Sequence, residues 1–279
     1  MNRRWAVAGL VAACLMVPGL AACGSGDNTP NATASPSGSA SSSSATADDA
    51  KQKLLDSTKE LSNGNFRFAI TGGPVNSTGL VHLPSRSAQM KMKIGQAGSD
   101  VTMDVDFIWA EPDTWVKVDV GGAAVQGLPG MDKVATGKYL HIDPTKAADL
   151  RDLRFDPNKV DPANSAELAR AITDVRETGE DTYAGTIDVS KAPDSGMFDV
   201  DLVTALGAQA NAVPFTARLD SQGRLTEMVI QVPAAGNTKA QEIKITYSDY
   251  GAATAAQKPA AAQVVEAPPE LYQVFKQPR

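Results

Sequence analysis

The sequence predicts an α+β protein built on one strongly curved antiparallel sheet of about ten strands, its concave side partly covered by a few helices. Three observations predict it. Apolar and polar residues alternate at period two through most of the chain, from Phe66 to Val120 and again from Thr182 to Tyr247. That is the pattern of half-buried antiparallel strands. Helical spacing is confined to short stretches. A sheet of that size curls or closes instead of staying flat.

The chain opens with a leader. Arg3 and Arg4 precede an apolar run from Trp5 to Leu20, and Leu20-Ala21-Ala22-Cys23 follows the pattern of a bacterial lipobox. A positive start, an apolar core and small residues before the cut describe a signal peptide over residues 1–22. Small residues let the chain enter a peptidase cleft, and the Cys23 thiol is the nucleophile that takes a diacylglyceryl group. Two other readings compete. A transmembrane helix needs roughly 20 residues, and this run is shorter and broken by Gly9, Pro18 and Gly19. An ordinary secretory signal with an incidental cysteine is the second. Cys14, after Val11-Ala12-Ala13, is a weaker match that leaves too short an apolar core. Lipidation at Cys23 is the expectation, with the protein held at the outer face of the cell membrane.

Residues 23–47 are rich in Ser, Gly, Ala and Thr with nothing apolar larger than Ala after Cys23. Such a stretch cannot bury enough surface to offset its ordering entropy, so it reads as a flexible tether. Residues 48–267 carry the folded domain. From Asp48 to Leu61, Ala50, Leu54, Leu55, Thr58 and Leu61 recur at helical spacing. Asp48 or Asp49 suits the start and Asn63-Gly64 the stop.

Strands follow. Phe66, Phe68 and Ile70 share a face; Ala88, Met90, Met92 and Ile94 share another, opposite Lys91 and Lys93. Val101, Met103, Val105 and Phe107 alternate with Thr102, Asp104 and Asp106, and Val116, Val118 and Val120 with Lys117 and Asp119. Gly95–Ser99 fits a hairpin turn, and Gly72-Gly73-Pro74 and Gly121-Gly122 fit turns. In the middle, Lys138–Ile142 reads as a strand and Pro144–Leu153 as a short helix. Asn164 with Glu167 resembles a capping box, ahead of Leu168, Ile172 and Val175 on one helical face. Asp199–Leu206 reads as another short helix. Strands resume at Thr182–Val189, Val213–Leu219, Arg224–Val232 and Gln241–Tyr247, with Ser221-Gln222-Gly223 as a turn. Residues 268–279 read as a loosely ordered tail, with docking of Tyr272 and Phe275 the lesser alternative.

The net charge of −6 becomes more negative once Arg3 and Arg4 leave with the signal. That argues against nucleic acid as a partner and against attraction to anionic headgroups, so attachment falls to acyl chains. Cys14 and Cys23 are the only cysteines; after processing and acylation no disulfide, thiolate nucleophile or cysteine metal site remains. His82 and His141 are the only histidines and lie in no metal-binding spacing. No nucleophile elbow, phosphate loop or dinucleotide fingerprint is present. Asp104/Asp106 and Asp199/Asp201 lack the further oxygen ligands calcium needs. An enzyme is therefore not expected, nor a cofactor or metal.

Three strand patterns carry a resemblance: Tyr183-Ala184-Gly185-Thr186-Ile187-Asp188-Val189; Val213-Pro214-Phe215-Thr216-Ala217-Arg218-Leu219-Asp220 followed by Gly223-Arg224-Leu225; and Tyr247-Ser248-Asp249-Tyr250-Gly251. With the lipobox, tether and leading helix, the chain resembles the mycobacterial LppX/LprA/LprF/LprG lipoprotein family of the actinobacterial envelope, related in fold to the LolA/LolB lipoprotein carriers. The resemblance implies a half-barrel with a helical cover and an apolar cavity for acyl chains of envelope lipids. It transfers no catalytic residues.

Candidate cavity residues are Leu54, Met90, Met92, Met103, Val105, Phe107 and Phe215. Flexible, polarizable thioethers suit a wall that must fit varied acyl chains. The same residues also suit a packed core between sheet and helices. Trp109 and Trp115, flanking Glu111-Pro112, fit either a cavity mouth or a stapled strand end. The expected function is to bind an acylated envelope lipid or lipoglycan and carry or present it, as a monomer. The alternative is a solidly packed surface module that meets a protein or cell-wall partner without ligand.

Overall fold

The computed structural model describes residues 41–73, 75–95, 101–122, 131–147, 150, 153–236, 238–269 and 271–272. Cys23, residues 1–40, the Gly95–Ser99 turn beyond Gly95, and Phe275 lie outside them. All described residues fall in one unit, Ser39–Arg279.

The core of the fold is a single open, curved sheet of twelve strands: β1 (Asn65–Thr71), β2 (Val75–His82), β3 (Ser87–Ile94), β4 (Thr102–Ala110), β5 (Asp113–Gly121), β6 (Tyr139–Ile142), β7 (Ile172–Gly179), β8 (Thr182–Ile187), β9 (Val213–Leu219), β10 (Leu225–Val232), β11 (Gln241–Ser248) and β12 (Val264–Glu266). The order across it is β12-β6-β5-β4-β3-β2-β1-β11-β10-β9-β8-β7. Every pairing is antiparallel except β12 on β6. Two meanders therefore meet where β1 pairs with β11, Phe68 opposite Tyr247.

Among the described residues four α-helices accompany the sheet: α1 (Ser41–Ser57), α2 (Met131–Val134), α3 (Ser165–Arg170) and α4 (Val200–Leu206). Helix α1 packs on β7 and α3. Its Ala50 and Leu54, with Leu61 of the following 3-10 turn, are buried. Gly64 stops that turn at φ 58°, its N–H bonding the Leu61 carbonyl, as a left-handed cap does. Helix α4 starts where expected, with Asp199 accepting the Leu202 N–H at 2.6 Å.

Three strands, β2, β7 and β12, were not located in the sequence, and their residues show why. In β2 the positions facing the apolar side are Ser77, Gly79 and Val81, paired with Ile70, Phe68 and Phe66. Small residues there leave no apolar alternation. They are small because the neighbours are large: a Cβ on Gly79 would lie 2.7 Å from the Phe68 ring and 2.1 Å from the Gln89 carbonyl oxygen. In β7 the three-residue spacing of Ile172 and Val175 imitates a helix. A register shift between Ile172 and Asp174 supplies an extra residue, and that bulge brings both side chains to the buried face. The helix expected through Val175 therefore ends at Arg170. Strand β12 is short and lies in an Ala/Pro-rich stretch.

Other boundaries move as well. Helix α1 begins at Ser41, inside the stretch read as tether, so Asp48 and Asp49 lie within it and cap nothing. Residues 144–147 form turns, and residues 148–149 and 151–152 of the helix expected over Pro144–Leu153 lie outside the described residues. The tail does not fray before Tyr272. Leu271 and Tyr272 are buried, and the Tyr272 hydroxyl accepts the Asp143 N–H at 2.9 Å.

Two packed clusters share the apolar face of the sheet. The larger joins α1, α3 and α4 to β1 and to strands β7 through β11; the second joins β4, β5 and β6 to Ala147, Leu150, Leu153, Ala267, Leu271 and Tyr272. On the opposite face the segment after β11 crosses back over Leu80, Ile108 and Trp115 through Ala256.

Candidate functional site

The site is built on the face where the two clusters meet. Cross-strand pairs set its rows: Ala88 with Trp109, Met90 with Phe107, Met92 with Val105, Ile94 with Met103. Trp109 packs against both clusters and stacks on Phe107, centroids 5.1 Å apart and planes 8° apart. Its Nε1 is buried without a hydrogen-bond partner.

A strap spans the seam. Leu153 is buried in the second cluster, Val160 and Ala163 in the first, and the residues between them cross from one to the other. Asp156 shapes the crest by accepting the Asn158 N–H at 2.9 Å. Phe155 is half-buried against the first cluster, while Arg154 and Lys159 are exposed. Under the strap lies a cleft of about 410 Å³, lined by Phe68, Val81, Met90, Trp109, Phe155 and Val160 among others.

The strap is tied down at one end by Asp161. Its enclosed carboxylate accepts the Tyr247 hydroxyl, the Ser165 N–H at 2.6 Å and the Ala163 N–H at 3.1 Å; Ser165 Oγ also lies 2.7 Å from the Tyr247 hydroxyl. Burial pushes the Asp161 carboxyl above the ordinary carboxylate value, although these donors pull it back. Burial and the Asp161 charge push the Tyr247 phenol well up. The expected capping by Asn164 is thus replaced by Asp161, which takes the first N–H of α3.

Two further clefts touch the same strap. One, about 430 Å³, is lined by Arg86, Glu111, Asp113, Thr114, Ile142, Arg154 and Phe155 among others. Another, about 440 Å³, lies between Lys159–Pro162 and the turn at Thr58–Ser62. A separate open groove runs between α1 and β7, lined by Asp49, Lys53, Asp56, Asp174, Arg176 and Glu177, with Lys53 and Glu177 paired at 3.2 Å.

The expected cavity residues are divided by this architecture. Met90 lines the seam cleft. Met92, Met103, Val105 and Phe107 stand on the same sheet face but belong to the second cluster. Leu54 and Phe215, 1% and 2% exposed, are locked in the packed core of the first. The two tryptophans do not share a mouth. Trp109 pairs with Thr114, so Trp115 points to the other face, where it is buried with Leu80 and Ile108 under Lys258, 5.4 Å above its ring. Phe68 was legible only as a strand-face residue, and Phe155, Val160, Asp161 and Arg154 carried no site signal in the sequence. The last four sit in a Pro- and Asp-rich loop with no periodicity, where one isolated Phe was the only signal.

His141 has a structural setting on the far face. Its Nε2 lies 3.1 Å from Asp113 and its Nδ1 3.1 Å from Glu266 of β12. Burial lowers its pKa, but the two carboxylates outweigh that and raise it. Among the described residues no group of three or more His, Cys, Asp and Glu is placed to hold a metal ion, and no helix is long and apolar enough to cross a membrane. No protein-family model matches the chain, and no curated protein matches it.

Proposed function

We propose that the protein is an exported, membrane-anchored lipoprotein that holds an acylated lipid by burying its apolar part in the seam cleft. In this reading Cys23 carries the anchor, the curved sheet acts as a half-barrel with helices over its hollow, and no covalent chemistry is performed. The cleft itself carries the proposal: about 410 Å³ bounded by Phe68, Met90, Trp109 and Phe155 where the two packed clusters meet. That volume lies within the range of small-molecule sites. Each buried methylene contributes roughly 0.8 kcal/mol, so ten of them give about 8 kcal/mol before ordering costs, which sets roughly micromolar as the tightest dissociation constant such a chain reaches.

One observation favours the alternative, a packed surface module without ligand. The space beneath α1 is filled, with Leu54 and Leu61 buried to about 1–2% exposure, so any ligand must sit at the seam and not under the leading helix. The deciding experiment is solvent extraction of the full-length protein purified from its native membrane, followed by mass spectrometry. A stoichiometric acylated lipid supports carriage. A lipid-free protein whose seam cleft stays closed to apolar probes leaves the packed module.

A further inference from the structure

The seam cleft and its charged neighbour are separated by very little. Arg154 and Phe155 line both, one from each side of the same short stretch of strap. On the seam side the sheet supplies an apolar floor of Phe68, Val81, Ala88, Met90 and Trp109, while the strap adds Asp156, Lys159 and Asp161 at the rim. On the other side they are Arg86, Glu111, Asp113 and Thr114. The partition is half-buried Phe155, held by no backbone pairing in a sheet.

The charges of the second cleft are unevenly satisfied. Arg86 pairs with Glu111, one nitrogen at 2.8 Å from Oε1. Asp113 receives His141 at 3.1 Å and Lys258 at 3.2 Å. Arg154 alone among these groups has no acidic partner among the described residues, and it stands where the two clefts adjoin. An unpaired guanidinium beside an apolar hollow suits one ligand chemistry: an acyl chain ending in a planar or tetrahedral oxyanion, which the guanidinium can grip through two N–H groups.

We propose that these two clefts are the tail and head compartments of one site for an anionic amphiphile, divided by Phe155, with Arg154 meeting the anionic head. The inference rests on the apolar-ligand reading above and adds the class of ligand, the residue that selects its charge and the residue that limits its length. Joined, the compartments roughly double the space under the strap. Phe155 swings with the strap to let a chain pass between them.

The test uses the full chain and displacement of the neutral fluorophore N-phenyl-1-naphthylamine by dodecanoate, dodecyl phosphate and dodecanol. For the unmodified protein the expected result is at least a tenfold preference for one or both anions over dodecanol. Whichever anion is tighter distinguishes a carboxylate from a phosphate head. Arg154→Gln brings the anions to within about twofold of dodecanol and leaves dodecanol unchanged. In a series of longer alkanoates, Phe155→Ala, with Phe155→Leu as its milder form, moves the chain length of tightest binding upward. Anion preference that survives Arg154→Gln, or a chain-length optimum unmoved by both Phe155 variants, overturns this inference while leaving apolar binding intact. Failure of the fluorophore and all three amphiphiles to bind removes the apolar-ligand reading along with it.

Discussion

Tyr247, in the middle of the sheet on β11, donates its phenolic hydrogen to Asp161 at the end of the strap. One hydrogen bond thus joins the strand pair where the two meanders meet to the segment that roofs the seam cleft. Sequence separates the partners by 86 positions.

That contact sets a pH dependence. A carboxyl whose native pKa is raised favours folding while protonated, and that advantage disappears as pH rises through the native value. The stability of the wild type relative to Asp161→Asn is therefore expected to be highest near pH 4 and to shrink toward pH 7. Urea titrations at both pH values measure it. Tyr247→Phe leaves Asp161 and Ser165 short of a partner and is expected to lose about 1–3 kcal/mol. A pH-independent difference for Asp161→Asn contradicts the enclosed setting of the carboxylate.

His141 gives a dependence at higher pH. With both ring nitrogens facing carboxylates, the imidazolium is the favoured form. Its pKa is raised in the fold, so its contribution is complete below about 6.5 and is lost as pH rises through the raised value. Amide exchange in Val264–Glu266 is expected to quicken over that interval beyond the intrinsic rise with pH. His141→Gln abolishes the extra change.

Gly79 carries a steric prediction. A methyl group there meets the Gln89 carbonyl and the Phe68 ring, so Gly79→Ala is expected to lose about 1–3 kcal/mol from crowding. Because Phe68 also lines the seam cleft, the same variant changes apolar-probe binding. A variant as stable as the parent places Phe68 elsewhere.

Met90→Trp tests the cleft directly. The larger ring fills space that a ligand would take, so binding of N-phenyl-1-naphthylamine is expected to fall at least tenfold. Stability stays level or rises, as cavity filling commonly gives. Undiminished probe binding locates the apolar site away from Met90.

The sequence by itself determined what is local. Period-two alternation marked β3, β4, β5, β9 and β11, because each such strand buries one face whatever its neighbours are. The short helix over Asp199–Leu206 was legible as well, and its local cap explains why: the Asp199 carboxylate acts on the N–H groups of the residues that follow. Tertiary structure decided what depends on partners. Strand β2 was hidden because its small residues answer to Phe68 and Met90 across the sheet, and β7 because a bulge changed the meaning of a three-residue step. Leu54 and Phe215 look as suited to a cavity as Met90 does. Only the packing of α1 and α4 on one half of the sheet, and the strap over the seam, separates filled space from open space. Composition fixes that a side chain is apolar; whether it touches another side chain or a void is settled by segments distant in the chain, brought together by burial and by the Asp161–Tyr247 bond.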